Sequence, residues 1–428
     1  MNKFDAVDEI LENLVNSGSV INYLKELRSK SIDLINKDLD LKETLYEIAN
    51  DIQFCTLMFL NAKNEYNINF ISGISTGIYL PYNGSYKLKI FGGTTKRNGN
   101  EFINEDTLFD IASITKLYTL VLLFKLEELG LIDLNKKISD INPDIQGLED
   151  YTLNDLIRLH GILRTKGNVA TSTSFEEAYE KFKTVYLLDN SRENNTYTDF
   201  GAMVIADTIE KVLSNYFNKE MKIDEIMNRF LFIPLGIKNT TYTPGTINIA
   251  GNNNDFGLPH DPKSRILGGK VGHAGLFTNS EDLMKLSLGI MDGKYLNKNS
   301  VSRLGEITFD GSSRGNLGIF VKHLGCLEQT YTPQEYSTGS FSHQGWTGGV
   351  ATFDINNKIH NNILVNAIYN SDNQSEILND KPIKYKKEFI KYQSEISKRI
   401  MLMYVVKKYY NKYIGYSECI EEKRILKK

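Results

Sequence analysis

The period of the apolar positions changes several times along the chain, and each change predicts a different element. Up to about residue 50, apolar side chains recur at helical spacing, first at Val7, Ile10, Leu11 and Leu14 and then at Ile21, Leu24 and Leu27. Charges fill the positions between, which predicts two or three amphipathic helices. Such a stripe is most simply a helical extension packed on a main domain; a surface for a partner is the other reading. From Ile71 the period shortens. The stretch ISTGIYLPYNGSYKLKIFGGTT holds two β-rich runs around Asn83-Gly84, a dipeptide that favours hairpin turns, and so predicts the start of a main antiparallel sheet. Residues 117–129 (LYTLVLLFKLEEL) are apolar at nearly every position, as in a helix buried within a domain. Asn142-Pro143 and Gly147 interrupt the pattern, and the next stretch reads as mostly helical with polar loops such as NSRENN and GNNNDFG. Strand-like runs resume near Gly272 and continue through VATFDI and Asn362–Tyr369. A Lys- and Tyr-rich helix over roughly 384–412 closes the pattern, its charges read as a solvated face.

These signals divide the chain into a helical extension (1–70), a discontinuous α/β domain (71–145 and 270–428) and a helical subdomain between its halves (146–269). The 428 residues, 41% of them apolar, suffice for a sizeable core and two or three subdomains. A net charge of −3 with Lys and Arg scattered among Asp and Glu offers no basic face to track a phosphate backbone, so nucleic acid is not an expected partner. Cys55, Cys326 and Cys419 are far apart and odd in number, which argues against a disulfide framework and builds no metal site by spacing. The N-terminal stretch has no signal-like basic and apolar regions, and no run of 18 apolar residues occurs, so a cytoplasmic location is expected.

The candidate chemistry begins at Phe109-Asp110-Ile111-Ala112-Ser113-Ile114-Thr115-Lys116. Ser113 and Lys116 stand three residues apart at the start of the buried helix, on one face, so that hydroxyl and amine can meet. Serine needs activation, and a lysine whose pKa burial has lowered can take its proton. Ser113 opens the sole S-x-x-K in the chain. Two further segments follow in order. Tyr197-Thr198-Asp199 precedes the helical pattern FGAMVIADTIEKVL, and His343-Gln344-Gly345-Trp346-Thr347-Gly348-Gly349 precedes VATFDI. Together they resemble the serine β-lactamase and penicillin-binding protein superfamily, in particular the class C-related, esterase-like branch, which carries Tyr-x-Asn or Tyr-Ser-Asp second and His-x-Gly third. The stretches LNDLIRLHG (153–161), HDPK (260–263) and LGGKVGHAGLFT (267–278) resemble further signatures of that branch, and the likeness covers roughly residues 70–370.

The resemblance implies an α+β fold of the β-lactamase/transpeptidase type, an antiparallel sheet flanked by helices with an inserted helical subdomain. It implies a serine hydrolase acting on an ester or amide of a small molecule or peptide through acyl-Ser113, in the manner of a carboxylesterase or D-amino-acid peptide hydrolase, with no cofactor. The serine proton would pass to Lys116 or Tyr197, whose roles the sequence does not separate, and the Ser113 and Trp346 amides would hold the oxyanion. Gly345 would leave room for substrate beside the strand. Asp199 replaces an amide donor with an acceptor able to keep Lys116 charged, and His343 replaces a permanent cation with an imidazole; both weaken the case for β-lactam hydrolysis. If His343 acts as a cation, activity on carboxylate-bearing substrates should rise toward pH 6. His160, His260 and His273 lack ligand spacing, so no metal is expected. The alternative from another class is a penicillin- or peptide-binding module with little or no turnover. The oligomeric state is left open.

Overall fold

The structure is a computed structural model describing residues 3–16, 21–37, 40–64, 67–188, 196–246, 248–251, 257–308, 314–322, 331–367, 381–415 and 417–426. The amphipathic N-terminal stripes form α1 (Lys3–Asn16), α2 (Ile21–Asn36) and α3 (Leu41–Leu60). Strands β1 (Gly73–Leu80) and β2 (Tyr86–Gly93) make the hairpin expected around Asn83-Gly84. Its connection is longer than a two-residue turn, with Tyr82, Asn83 and Gly84 all at positive φ. A Cβ on Gly84 would lie 2.6 Å from the Glu418 carbonyl oxygen, so a side chain is excluded there.

The main sheet has seven strands in the order β10-β2-β1-β9-β8-β7-β6, where β6 is Phe320–Val321, β7 Phe341–Gln344, β8 Val350–Asp354, β9 Ile359–Val365 and β10 Ile420–Leu426. Its neighbours run antiparallel except β10, which lies parallel to β2. Strand β10 was not expected from the sequence. Its residues IEEKRIL are mostly charged, and pairing is secured partly by Lys89, buried and 2.8 Å from both Glu421 and Glu281.

Helices cover both faces. On one side α3 and the long α7 (Lys381–Tyr413) pack on the sheet, with Ile48, Ile52, Phe59, Phe389, Ile396, Ile400 and Met403 meeting Ile74, Ile78, Leu88 and Ile363. The apolar stripe of the first sixty residues is thus core, and α7 buries a face as well as exposing its charges. On the other side lie α4 (Thr115–Glu128) and α6 (Ser280–Met291). Residues Thr115 to Phe124 of α4 are all buried, which accounts for the apolar run that has no polar face. Between these halves the chain is mostly helical, including α5 (Asp199–Phe217), and it also carries a two-stranded ribbon, Leu163–Arg164 with Tyr186–Leu187.

A small second sheet sets the entry to α4. Strand β3 (Leu108–Asp110) is sandwiched between β4 (Ile249–Ala250) and β5 (Phe277–Thr278), so the residues just before Ser113 are tied to the far end of the helical segment. Among the described residues no helix is long and apolar enough to cross a membrane. Cys55 and Cys419 are free thiols, whereas Cys326, the NSRENN loop, most of GNNNDFG and the end of the 362–369 run lie outside the described residues.

Phe389 is fully buried, with its ring centroid 5.7 Å from that of Tyr385 and 6.0 Å from those of Phe59 and Tyr331. Phe389→Ala should therefore cost about 3–5 kcal/mol by urea unfolding, while Phe54→Ala, on the exposed face of α3, should stay within about 0.5 kcal/mol of wild type. Equal effects would contradict this placing of the core.

Candidate active site

Ser113 lies in a single 3₁₀ turn, Ala112–Ile114, that leads into α4. The entry is strained: Ala112 has φ +43°, a left-handed conformation that costs a non-glycine residue about 1 kcal/mol or more. Asp110 holds it in place. One carboxylate oxygen accepts the Ala112 N–H at 2.8 Å, the other accepts the His260 N–H at 2.6 Å, and the Asp110 carbonyl accepts the Thr347 hydroxyl at 2.7 Å. Asp110 thereby fastens the serine turn to both the 260 loop and the turn after β7.

Lys116, one turn on, is 1% exposed. Its ammonium donates to Ser113 Oγ at 2.9 Å, to Asp199 Oδ1 at 2.8 Å and to the His273 carbonyl at 3.1 Å, using all three protons. Tyr197 covers it, with Nζ 5.1 Å from the ring centroid. Burial alone would lower the lysine pKa, but the Tyr197 oxygen, when ionised, and the Asp199 carboxylate outweigh burial and raise it above the ordinary lysine range. The lowering expected from burial is outweighed by the neighbours, in line with the Asp199 carboxylate keeping Lys116 charged. The Asp199 carboxylate, half-buried and facing Lys116, His273 and Lys263, is held well below the usual carboxylate range despite its partial burial.

Tyr197 is 39% exposed and packs on the loop before β6, where Leu317 and Gly318 both take positive φ. A Cβ on Gly318 would strike the Tyr197 ring at 2.2 Å. Arg314 donates to the Gly318 carbonyl at 2.8 Å, with its guanidinium carbon 5.1 Å from the same ring's centroid.

The β7 end supplies the opposite wall. His343 is buried, its Nδ1 3.0 Å from the Gln344 carbonyl and its Nε2 3.4 Å from that of Leu317. Burial first, and then the charge of Lys116, lower its pKa to about 3, which favours the neutral imidazole. The anticipated rise in activity toward pH 6 from a His343 cation has no group to produce it. Gly345 has a packing reason to lack a side chain: a Cβ there would sit 2.4 Å from the Ile111 carbonyl oxygen, so glycine lets the β7 turn press against the serine turn. Trp346 follows, its ring 49% exposed and centred 4.8 Å from that of His260 at the rim. Among the described residues the Ser113 and Trp346 amides have no protein acceptor, since the N–H groups of Ile114, Thr115, Gly345 and Gly348 close the two turns.

The other singled-out histidines divide. His160 pairs with Asp155 at 3.2 Å, beside the capping box of a short helix. His273 Nε2 instead pairs with Asp261 at 2.8 Å, and ligand atoms of Asp199, Asp261 and His273 all lie within 4.8 Å of one another, a grouping that spacing in the sequence did not reveal. It does not fit a metal ion. Asp199 is already shared by the ammoniums of Lys116 and Lys263, at 2.8 and 2.9 Å, and a further cation would meet two positive charges.

A serine, a buried lysine and a tyrosine thus meet beside a largely antiparallel sheet. Residues 74–381 match the family described as Beta-lactamase, and the chain belongs to that family of serine hydrolases. Among curated proteins, one from Salmonella agona (strain SL483) named "Putative D-alanyl-D-alanine carboxypeptidase" is 25% identical over 323 residues, 62% of this chain and 72% of its own. Among solved structures, the D-amino acid amidase from Ochrobactrum anthropi SV3 complexed with L-phenylalanine amide aligns with a TM-score of 0.59 at 16% identity, covering 83% of this chain and 98% of its own. A class C β-lactamase gives 0.58 at 15%, covering 81% and 96%. These likenesses agree with the β-lactamase/transpeptidase-like fold expected from the sequence.

The neutral state of His343 has a measurable consequence, shared by His360, which is also buried with a pKa lowered to about 3. Both pKa values are depressed on folding, so between the unfolded value near 6.5 and about 3 the unfolded chain binds protons that the fold does not. Stability is complete above pH 6.5 and falls on acidification by about 1.4 kcal/mol per pH unit per histidine. His343→Gln should make the loss between pH 7 and 5 shallower in urea unfolding, and an unchanged slope would show that His343 titrates normally.

Proposed function

We propose that the protein hydrolyses an ester or amide through an acyl-Ser113 intermediate, with Lys116 fixed as a cation and Tyr197 carrying the proton. The observation that carries this reading is the Lys116 ammonium, bonded at once to Ser113 Oγ and Asp199 and facing the Tyr197 ring. A buried cation that stays charged cannot itself take the serine proton, but it stabilises negative charge on a neighbouring phenolate. In the first half-reaction Ser113 Oγ bonds to the carbonyl carbon and its proton passes to the Tyr197 oxygen. The developing oxyanion accepts from the Ser113 and Trp346 amides, where losing one such donor typically costs about 3 kcal/mol. Tyr197 then protonates the leaving oxygen or nitrogen as its bond to carbon breaks. In the second half, water bonds to the acyl carbon and gives a proton to Tyr197, which passes it to Ser113 Oγ as the Oγ–carbon bond breaks and the acid leaves.

The charge at the third motif bears on the substrate class. With His343 neutral, no fixed cation stands at the start of the third motif to receive a carboxylate beside the scissile bond. Esters and amides without that carboxylate suit the site better than penicillins. The names of the relatives, an amidase and a carboxypeptidase acting on D-amino acid compounds, and the likeness to the hydrolase EstCE1, aligned with a TM-score of 0.57, support acyl groups of the D-aminoacyl kind as well as simple esters.

Incubation with a nitrophenyl ester and with a penicillin, followed by turnover assay and intact-mass measurement, tests the proposal. The ester should be hydrolysed, Ser113→Ala should lose both turnover and any adduct, and Tyr197→Phe should slow acylation about 10²–10⁴-fold. Undiminished hydrolysis by Ser113→Ala would overturn the reading, and a stable, unhydrolysed Ser113 adduct with every substrate would favour the binding module.

A further inference from the structure

The His260-Asp261-Pro262-Lys263 segment and His273 have no part in the mechanism above, yet they touch it at its most buried point. Asp261 caps the short helix Pro262–Ile266, accepting the Ser264 N–H at 2.8 Å, and so fixes where Lys263 starts. Lys263 Nζ then reaches Asp199 Oδ2 at 2.9 Å and Asp261 Oδ2 at 3.8 Å, while Asp261 Oδ1 meets His273 Nε2 at 2.8 Å. The His273 carbonyl accepts from Lys116, whose ammonium holds the other oxygen of Asp199. The contacts form a closed ring: Lys116, Asp199, Lys263, Asp261, His273 and back to Lys116. Gly272 makes closure possible, since a Cβ there would strike the Ala202 carbonyl of α5 at 2.3 Å.

We propose that Lys263, backed by Asp261 and His273, is a positioning residue that sets the proton balance of Ser113, Lys116 and Tyr197 by holding the far oxygen of Asp199. This rests on the acyl-Ser113 reading. A carboxylate bonded to one ammonium would cancel most of the field that Lys116 presents to Tyr197. Shared between two ammoniums, it orients Lys116 while leaving that field in place. The two lysines repel each other at this range, and the charge of Lys116 opposes protonation of Lys263. The groups facing Lys263 are Asp199, Asp261 and, across Asp199, Lys116; beyond Lys116 stand Tyr197, His343 and Arg314. Removing one positive charge makes the group that accepts the serine proton hold it more tightly, which moves the limb it sets upward.

The test is the pH dependence of kcat/KM for a nitrophenyl ester in Lys263→Gln, Lys263→Arg and Asp261→Asn. Lys263→Gln should move the acidic limb upward by about one pH unit, the order expected for one charge at this range in a partly screened site. Lys263→Arg should restore the limb, and Asp261→Asn should move it downward. Uniform loss at all pH values with the limb unmoved, or the same direction in Lys263→Gln and Asp261→Asn, would overturn the proposal and leave the ring a structural brace. Should Lys263→Gln fail to fold, judged by its melting curve, the downward shift in Asp261→Asn decides alone. Ser113→Ala in the same assay keeps the outcomes apart: retained hydrolysis there defeats the acyl-Ser113 reading, whereas a fixed limb with Ser113-dependent turnover defeats the role of Lys263.

Discussion

An ammonium taken almost wholly out of water is the constraint around which this protein is built. An unpaired buried charge costs several kcal/mol, and removing one partner of a buried pair typically costs about 3–5 kcal/mol. Lys116 escapes that penalty because each of its protons has an acceptor, from the serine turn, from α5 and from the segment before β5. The same bonds that make its burial tolerable bring Ser113, Asp199 and the His273 carbonyl to one point. Stability and chemistry are thus imposed on the same atoms, and the strain at Ala112 is sustained by Asp110 next to them.

The rest of the fold can be understood as the means of assembling that point from distant stretches. The large sheet, clamped between α3 with α7 on one face and α4 with α6 on the other, fixes β7 and the turn after it. The small β3-β4-β5 sheet ties the approach to Ser113 to the end of the helical segment. Three glycines permit close approaches around the site: Gly345 against Ile111, Gly318 against Tyr197 and Gly272 against α5. At each a single Cβ would hold two walls of the site apart, which is why these positions bear no side chain although none of them takes part in proton transfer.

Much of this was legible in the sequence, for identifiable reasons. Local patterns carried the hairpin at Asn83-Gly84, the all-apolar α4 and the amphipathic N-terminal helices, because period and turn chemistry are local properties. Ser113, Lys116, Tyr197 and Asp199 stood out by motif, and the structure brings them together. The physical states of the side chains were another matter. Whether burial or neighbouring charge governs Lys116, and whether His343 is a cation, depend on what surrounds each group in space; the sequence offered both a lysine lowered by burial and an Asp199 able to keep it charged, and could not choose between them. Strand β10 was hidden because IEEKRIL carries a charged pattern that only its place beside Lys89 explains. The ring through Lys263, Asp261 and His273 was seen as a signature but not as a connection, since two short segments ten residues apart announce no partner for Asp199.

The central claim is that Lys116 is a fixed cation, and its charge state can be read directly. With lysine labelled at Nζ with ¹⁵N and the signal assigned by its loss in Lys116→Met, heteronuclear NMR across pH 6 to 9 should show a slowly exchanging ammonium whose shift does not titrate. A Lys116 signal in the neutral amine range at pH 7, or one that titrates near neutrality, would contradict the account and return the role of general base to the lysine.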